Sequence, residues 1–382
     1  MTFDVTSVEK GGATASGGAT GPGDVPNLGG VTSRGGTSSA GGNLGTGGAS
    51  SATCRDGEVP VDFQTDGNHC GACGNVCSAV APSTARCTAG RCLVTLAEGQ
   101  SFPIGIAVDG ANVYWTNGGR NTVAGDGAVM KVPLAGGAPV VLASGQDFPR
   151  DLAVDATSVY WANGGVAQWS GGLAKLPLAG GTPTILASAQ FSPDKLVVDS
   201  TSVYWRDWRD TANLLMRVPL AGGVATTLVA VAGNIGGIAV DARSVYWAEA
   251  DNGVVMAMPL VGGASTTLAR EQNSVGPIAV DTTSAFWVSI ASWVTATGTI
   301  RKQPLAGGVP TVLTSEISAP YAIALDASSV YWIDAEGKVM KVARDGGTPT
   351  LLASSPWPNG IAVDATSVYW TASATVMKLT PR

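Results

Sequence analysis

A ten-residue signature recurs seven times along the chain, and its period restricts the possible folds more than any other feature. The copies read IAVDGANVYW, LAVDATSVYW, LVVDSTSVYW, IAVDARSVYW, IAVDTTSAFW, IALDASSVYW and IAVDATSVYW. Their Asp residues stand at 109, 155, 199, 241, 281, 326 and 364, so successive copies lie 46, 44, 42, 40, 45 and 38 residues apart. A period of about 40–45 residues holding four short apolar runs is the pattern of propeller blades, units that cannot bury their faces alone. The signature accounts for seven of the 11 Trp residues, which points to a role in every unit rather than in one site.

Each unit parses as four strands, of which GIAVD (a), SVYW (b), VMKVPL (c) and TPTLLAS (d) are examples, short and rich in β-branched or aromatic residues. Between c and d stands Ala-Gly-Gly, at 135–137, 179–181, 221–223 and 306–308. Glycine there supplies the positive φ that a tight hairpin needs. The repeated Asp is followed by small polar residues and predicts an Asx-turn between a and b. A residue present in all seven copies cannot mark one unique site, so these carboxylates are read as turn-formers. The Tyr and Trp of strand b predict packing between neighbouring blades. The last unit stops after strand c, at VMKLTPR, while an orphan strand, LVTLA at 93–97, precedes the first unit. If 93–97 pairs with 376–379, the last blade is completed and both open sheet edges vanish. The expected fold is therefore all-β: a seven-bladed β-propeller of four-stranded antiparallel blades over residues 93–382.

The motifs Tyr114-Trp115-Thr116-Asn117, Tyr204-Trp205-Arg206-Asp207, Tyr331-Trp332-Ile333-Asp334 and Tyr369-Trp370-Thr371-Ala372 each follow a GIAVD-like strand. In this the units resemble the YWTD repeats of LDL-receptor class B propellers and, more loosely, NHL-type propellers. Most copies lack the fourth-position Asp, and there are seven units where that family has six. The resemblance implies protein or glycan binding and not catalysis; no cofactor is expected.

Upstream of the propeller the composition changes twice. Residues 11–53 hold 15 Gly, 12 Ser or Thr and 6 Ala, too little apolar surface to offset the entropy of ordering. Residues 1–53 are read as a disordered tether, its 11–53 stretch having a random-coil reach of about 35 Å. All six cysteines follow in 54–92: Cys54, Cys70, Cys73, Cys77, Cys87 and Cys92. An even count in a short, core-poor segment predicts a disulfide framework of undetermined connectivity. The competing arrangement is a zinc site using His69, Cys70, Cys73 and Cys77. HCGACGNVC followed by CTAGRC resembles small Cys-rich modules found behind Gly/Ser-rich tethers in secreted bacterial proteins. That implies an oxidising compartment, hence an extracellular or cell-surface location. The opening decapeptide, MTFDVTSVEK, has no apolar run of signal-peptide type, so a hydrophobic leader encoded upstream of Met1 is expected.

Charge and hydropathy narrow the partners. The net charge is −6, and phosphate binding needs clustered Lys and Arg, so nucleic acid is excluded. The longest apolar stretch, Leu228 to Val240, is too short for a membrane span and is broken by Gly233, Asn234, Gly236 and Gly237. A monomer is expected. The single His, His69, lies before the repeats, so His-based chemistry is excluded from the propeller.

In a propeller the d–a and b–c loops share one face around the channel mouth, and these are where the sequence stops repeating. The four Trp residues outside the signature, Trp169, Trp208, Trp293 and Trp357, all fall in such loops. Exposed aromatics on a rigid scaffold suit ligand contact; the competing reading is that they cap the ring's own apolar end. Arg150, Lys195 and Tyr321 occupy d–a loops, and Arg206 and Asp207 open the densest charge cluster in a chain only 13% charged. That cluster reads either as a solvated loop with internal ion pairs or as a polar anchor beside Trp208. Catalytic signatures are weak: Ser192-Pro-Asp-Lys195 matches S-x-x-K but enters a strand rather than a helix. The function expected is non-catalytic binding of a protein or polysaccharide at this face. The alternative is an extracellular carbohydrate-active lyase or hydrolase using carboxylates there, such as Asp207 with Glu249.

Overall fold

The computed structural model describes residues 51–52, 61–210, 212–270, 272–292 and 297–380; residues 1–50 of the expected tether, together with Cys54 and Trp293, lie outside these. Among the described residues the regular structure is all strand: a seven-bladed β-propeller and, before it, a two-stranded ribbon of Ser51–Ala52 with Val61–Asp62. Blade 1 is built from Pro103–Val108, Asn112–Asn117, Gly127–Pro133 and Val140–Gln146, the strands a to d of the sequence pattern, paired in that order. Blades 2 to 6 repeat the arrangement from residues 149, 193, 235, 274 and 320 onward. Strand a of each blade packs on strand a of the next all the way round, so these strands line the axis. Among the described residues no helix is long and apolar enough to cross a membrane.

Blade 7 closes the ring as expected. Its own a, b and c strands are Pro358–Val363, Val368–Ala372 and Thr375–Thr380, and its outer strand is Arg91–Ala97. Leu379 pairs with Leu93, Lys378 with Val94, Met377 with Thr95 and Val376 with Ala97. The sheet then continues one strand further, because Thr84–Thr88 hairpins back onto Arg91–Ala97 and makes blade 7 five-stranded. The cysteine-rich segment also grips blade 1. Val80 N–H donates to Ala135 O at 2.9 Å, and Ser83 Oγ accepts from Gly137 N–H at 3.1 Å while donating to Leu96 O at 2.9 Å. The segment thus straddles the seam between the first and last blades.

The seven apolar clusters are the seven blade interfaces. Successive side chains of a strand point to opposite faces, so the Tyr of strand b faces the next blade and the Trp faces the previous one. Tyr114 of blade 1 meets Trp161 of blade 2, and Tyr204 of blade 3 meets Trp247 of blade 4. At the seam Tyr369 meets Trp115 in a cluster that also holds Leu96 of the closing strand. All seven signature Trp residues are at most 1% exposed, so they are core and not surface.

The repeated Asp does form the turn, and it does more. Asp109 Oδ1 accepts from the N–H groups of Ala111 and Asn112 at 2.7 and 2.6 Å, while its Oδ2 accepts from the Tyr114 hydroxyl at 2.8 Å. Burial alone would raise the Asp109 carboxyl, but these donors outweigh it and hold the group below the usual carboxylate range. Blade 5 has Phe286 where the others have Tyr, and there Arg344 from blade 6 bonds Asp281 Oδ2 and lies over the Phe286 ring. A borrowed guanidinium replaces the missing hydroxyl. At the c–d hairpins the glycine pairs take left-handed backbone, as at Gly136 and Gly137, with φ of 90° and 124°.

The cysteines form disulfides. Cys70 pairs with Cys87 and Cys77 with Cys92, and Cys73 is disulfide-bonded too. This overturns the zinc alternative, since neither Cys70 nor Cys77 keeps a thiolate; His69 Nδ1 instead accepts from Gly74 N–H at 3.0 Å. The bridges span 17 and 15 residues, for which loop closure predicts a contribution of about 3 kcal/mol each. Replacing Cys77 and Cys92 together by Ser should therefore lower denaturant stability by about that amount. Unchanged stability would mean the bridge constrains nothing.

Candidate binding face and axial cavity

Loops d–a and b–c lie together on one face, tied by backbone hydrogen bonds within each blade. Phe102 O accepts from Gly118 N–H, Phe148 O from Gly164 N–H, Ser192 O from Trp208 N–H and Trp357 O from Ser373 N–H. Phe102, Phe148 and Trp357 each precede a proline and hold positive φ, at 56°, 52° and 50°. Left-handed backbone costs a bulky residue about 1–2 kcal/mol, and it recurs at the same place in three blades. The result is an aromatic rim in which Phe102 stacks on Phe148 with centroids 6.4 Å apart, while Trp357 is 82% exposed.

Inside this rim a cavity of about 510 Å³ follows the axis, and the a strands of all seven blades line it. Arg150, Lys195 and Tyr321 all line this cavity, so three of the sequence candidates converge on one space from blades 2, 3 and 6. Tyr321 donates its hydroxyl to Pro358 O, which fixes the ring at the mouth. The Arg150 guanidinium sits 5.0 Å over the Phe148 ring, and its Nε is buried with no hydrogen-bond partner. Burial pushes the Arg150 guanidinium below its ordinary value, with the nearby Asp194 opposing that shift.

Arg206 and Asp207 stand elsewhere. Arg206 makes a bidentate pair with Asp194 (Nε–Oδ1 2.7 Å, Nη2–Oδ2 2.6 Å) and donates from Nη1 to Asn234 Oδ1 and Ile235 O at 2.7 and 2.6 Å. It therefore latches blade 3 to blade 4. Asp207 is fully buried; its Oδ1 accepts from the N–H groups of Phe191 and Ser192, and its Oδ2 pairs with Arg209 at 2.9 Å. The cluster thus holds the internal ion pairs of the first reading, but Asp194, Arg206 and Asp207 are largely buried in it rather than solvated. Asp207 is also sealed off from acid–base work with Glu249, whose carboxylate accepts from Trp247 Nε1 and Asn252 Nδ2. Trp169 packs edge-on against Phe191 at 5.6 Å and under Arg209 at 4.7 Å, yet remains half exposed, and Trp208 is 43% exposed.

Asp151 lines the cavity as well and was not singled out from the sequence. At its position in strand a, blades 1, 6 and 7 carry Gly105, Ala322 and Gly360. A charge where other copies are small is the signal that could have found it. Its Oδ1 accepts from Leu152 N–H and its Oδ2 from Leu196 N–H, both at 2.9 Å. Protein surrounds it except along the channel, and this burial pushes its carboxyl up to about 6, with the Lys195 charge and the two amides opposing and Asp194 adding to the rise. The folded chain therefore holds this proton more tightly than the unfolded one. The group stabilises the fold fully below about pH 4, and that contribution disappears as pH rises through about 6. Asp151→Asn should accordingly stabilise the protein more at pH 7.5 than at pH 4.5. Melting curves of parent and variant that stay parallel across that window would refute the assignment.

No family model matches the chain, and no curated protein matches it. Solved structures do. The chain is similar to a streptogramin B lyase, at 15% identity and a TM-score of 0.62 over 75% of this chain and 96% of that one. It is also similar to the WD40 β-propeller domain of Doa1, at 15% identity and a TM-score of 0.58 over 75% and 95%. These likenesses are of fold: they place the chain among β-propellers.

Proposed function

We propose that the chain is a non-catalytic secreted or surface-displayed binding protein that presents its channel-mouth face to a protein or polysaccharide ligand. The observation that carries this reading is a loop face with exposed aromatics beside a polar axial cavity that Phe102 lines. Phe102, Trp169, Trp208 and Trp357 stand out from a rigid ring, where aromatic side chains supply contact area at low entropic cost. The disulfides support an oxidising, extracellular setting, in which such bonds persist. The test is a screen of polysaccharides and secreted proteins with the full oxidised chain, scored for both retention and product. Retention lost in a Trp208→Ala, Trp293→Ala, Trp357→Ala triple variant of unchanged melting temperature supports the reading; no retained ligand at all argues for a plain spacer.

A lyase or hydrolase acting at the same face is the second reading, favoured by one observation: Asp151 is a cavity carboxyl pushed up to about 6, a value suited to proton transfer near neutral pH. Product formation abolished by Asp151→Asn would establish it.

A further inference from the structure

The axial cavity is lined by two cations that outnumber the carboxylates left to balance them. Among the described residues neither Arg150 nor Lys195 takes part in an ion pair, whereas the neighbouring Arg206 is fully engaged with Asp194. The acidic groups facing them are Asp194, offset by Arg206, and Asp151, whose oxygens already accept from two amides. One positive charge is left over in a partly desolvated space, where an uncompensated cation is costly unless a counter-charge arrives. The Nε of Arg150 is itself buried without a hydrogen-bond partner, so no acceptor of the protein offsets that part of its charge. The chain also makes room for this side chain: a Cβ on Gly164 would fall 2.5 Å from Arg150 Nε, although the backbone of Gly164 would accept alanine.

We propose that the cavity binds a singly charged acidic saccharide, with Arg150 and Lys195 meeting its anionic group and the ring faces of Phe102 and Trp357 meeting its C–H surface. The inference rests on the reading of this face as a binding surface and specifies its ligand class. A cavity of about 510 Å³ lies within the range of roughly 300–1,000 Å³ that encloses a small ligand, so it accepts a sugar unit at a chain end rather than a folded surface. One spare positive charge matches a carboxylate or a sulfate ester better than a dianionic phosphate. Guanidinium meets such groups through paired, charge-assisted hydrogen bonds. Exposed flat rings beside the cations favour a sugar over an acidic peptide.

Binding by the full oxidised chain is to be measured calorimetrically against oligogalacturonate, its methyl ester, dextran sulfate, neutral dextran and a poly-glutamate peptide. The expected result is binding of oligogalacturonate, dextran sulfate or both, weakened by salt, with little binding of the ester or of neutral dextran. Retention of only one of the two acidic glycans identifies the group as carboxylate or as sulfate. Arg150→Gln and Lys195→Gln should each weaken binding about tenfold or more. Gly164→Ala, which keeps every charge but displaces the guanidinium, should do likewise at an unchanged melting temperature. Equal binding of neutral and acidic glycans, or an unaffected Arg150→Gln, Lys195→Gln double variant, overturns the inference while leaving the face a binding surface. Preference for poly-glutamate overturns it in favour of an acidic peptide. If no glycan, peptide or secreted protein is retained, the inference and the binding reading fail together.

Discussion

A chain ending before Thr375 is expected to lose the closed ring and to aggregate instead of folding as a monomer. Thr375–Thr380 is the third strand of the seventh blade, with Val368–Ala372 on one side and Arg91–Ala97 on the other. Its removal leaves both neighbours with unpaired edges, which invite intermolecular pairing. It also strips Val376 and Leu379, 0% and 1% exposed, from two different blade interfaces. The finer version of the experiment is the double substitution Val376→Asp, Leu379→Asp. Burying two unpaired carboxyls costs several kcal/mol each, against a net stability of about 5–15 kcal/mol for a whole protein. Size-exclusion chromatography and far-ultraviolet circular dichroism report the outcome. A monomeric double variant with the parent's melting temperature would refute closure through this strand.

Trp205→Ala should destabilise the protein by about 4 kcal/mol, whereas Trp208→Ala, three residues along the same strand, should cost less than about 1 kcal/mol. Trp205 is fully buried at the interface of blades 2 and 3, packed with Tyr160, Leu186 and Met216, and the space it leaves cannot collapse between two rigid sheets. Trp208 is the last residue of that strand and is 43% exposed. The contrast separates the two classes of tryptophan in this chain. If Trp208→Ala proved as damaging as Trp205→Ala, the exposed Trp residues would be caps of the ring's own core, and the binding face would lose its main support. Urea denaturation with both variants, compared at a common m-value, makes the measurement.

Most of the fold was legible because its information is local. The Asp-to-Tyr-Trp spacing lies within a single hairpin, and alternation along strand b alone sends Tyr one way and Trp the other. Closure was legible because one strand is missing at the end of the pattern and one is left over before its start. The extension of blade 7 by Thr84–Thr88 was not: that segment, TARCT, has the polar, turn-like composition of the module around it, and only its partner strand makes it part of the sheet. The same limit applies to Arg206 and Asp207. Their charge density drew attention, but sequence could not show that Asp194 lies directly across the hairpin from Arg206, or that the Asp207 carboxylate caps the backbone of its own d–a loop.

By itself the sequence determined how many blades there are, that the Tyr and Trp of each signature are buried between blades and where the loops fall, since each depends on spacing within about 40 residues. Only the tertiary structure decided which charges meet. Lys195 and Tyr321 are 126 positions apart yet line one cavity, because a closed ring brings every innermost strand to a common axis. Which of the charged groups there cancel one another, and which stay free for a ligand, depends on distances across blades that no repeat pattern encodes.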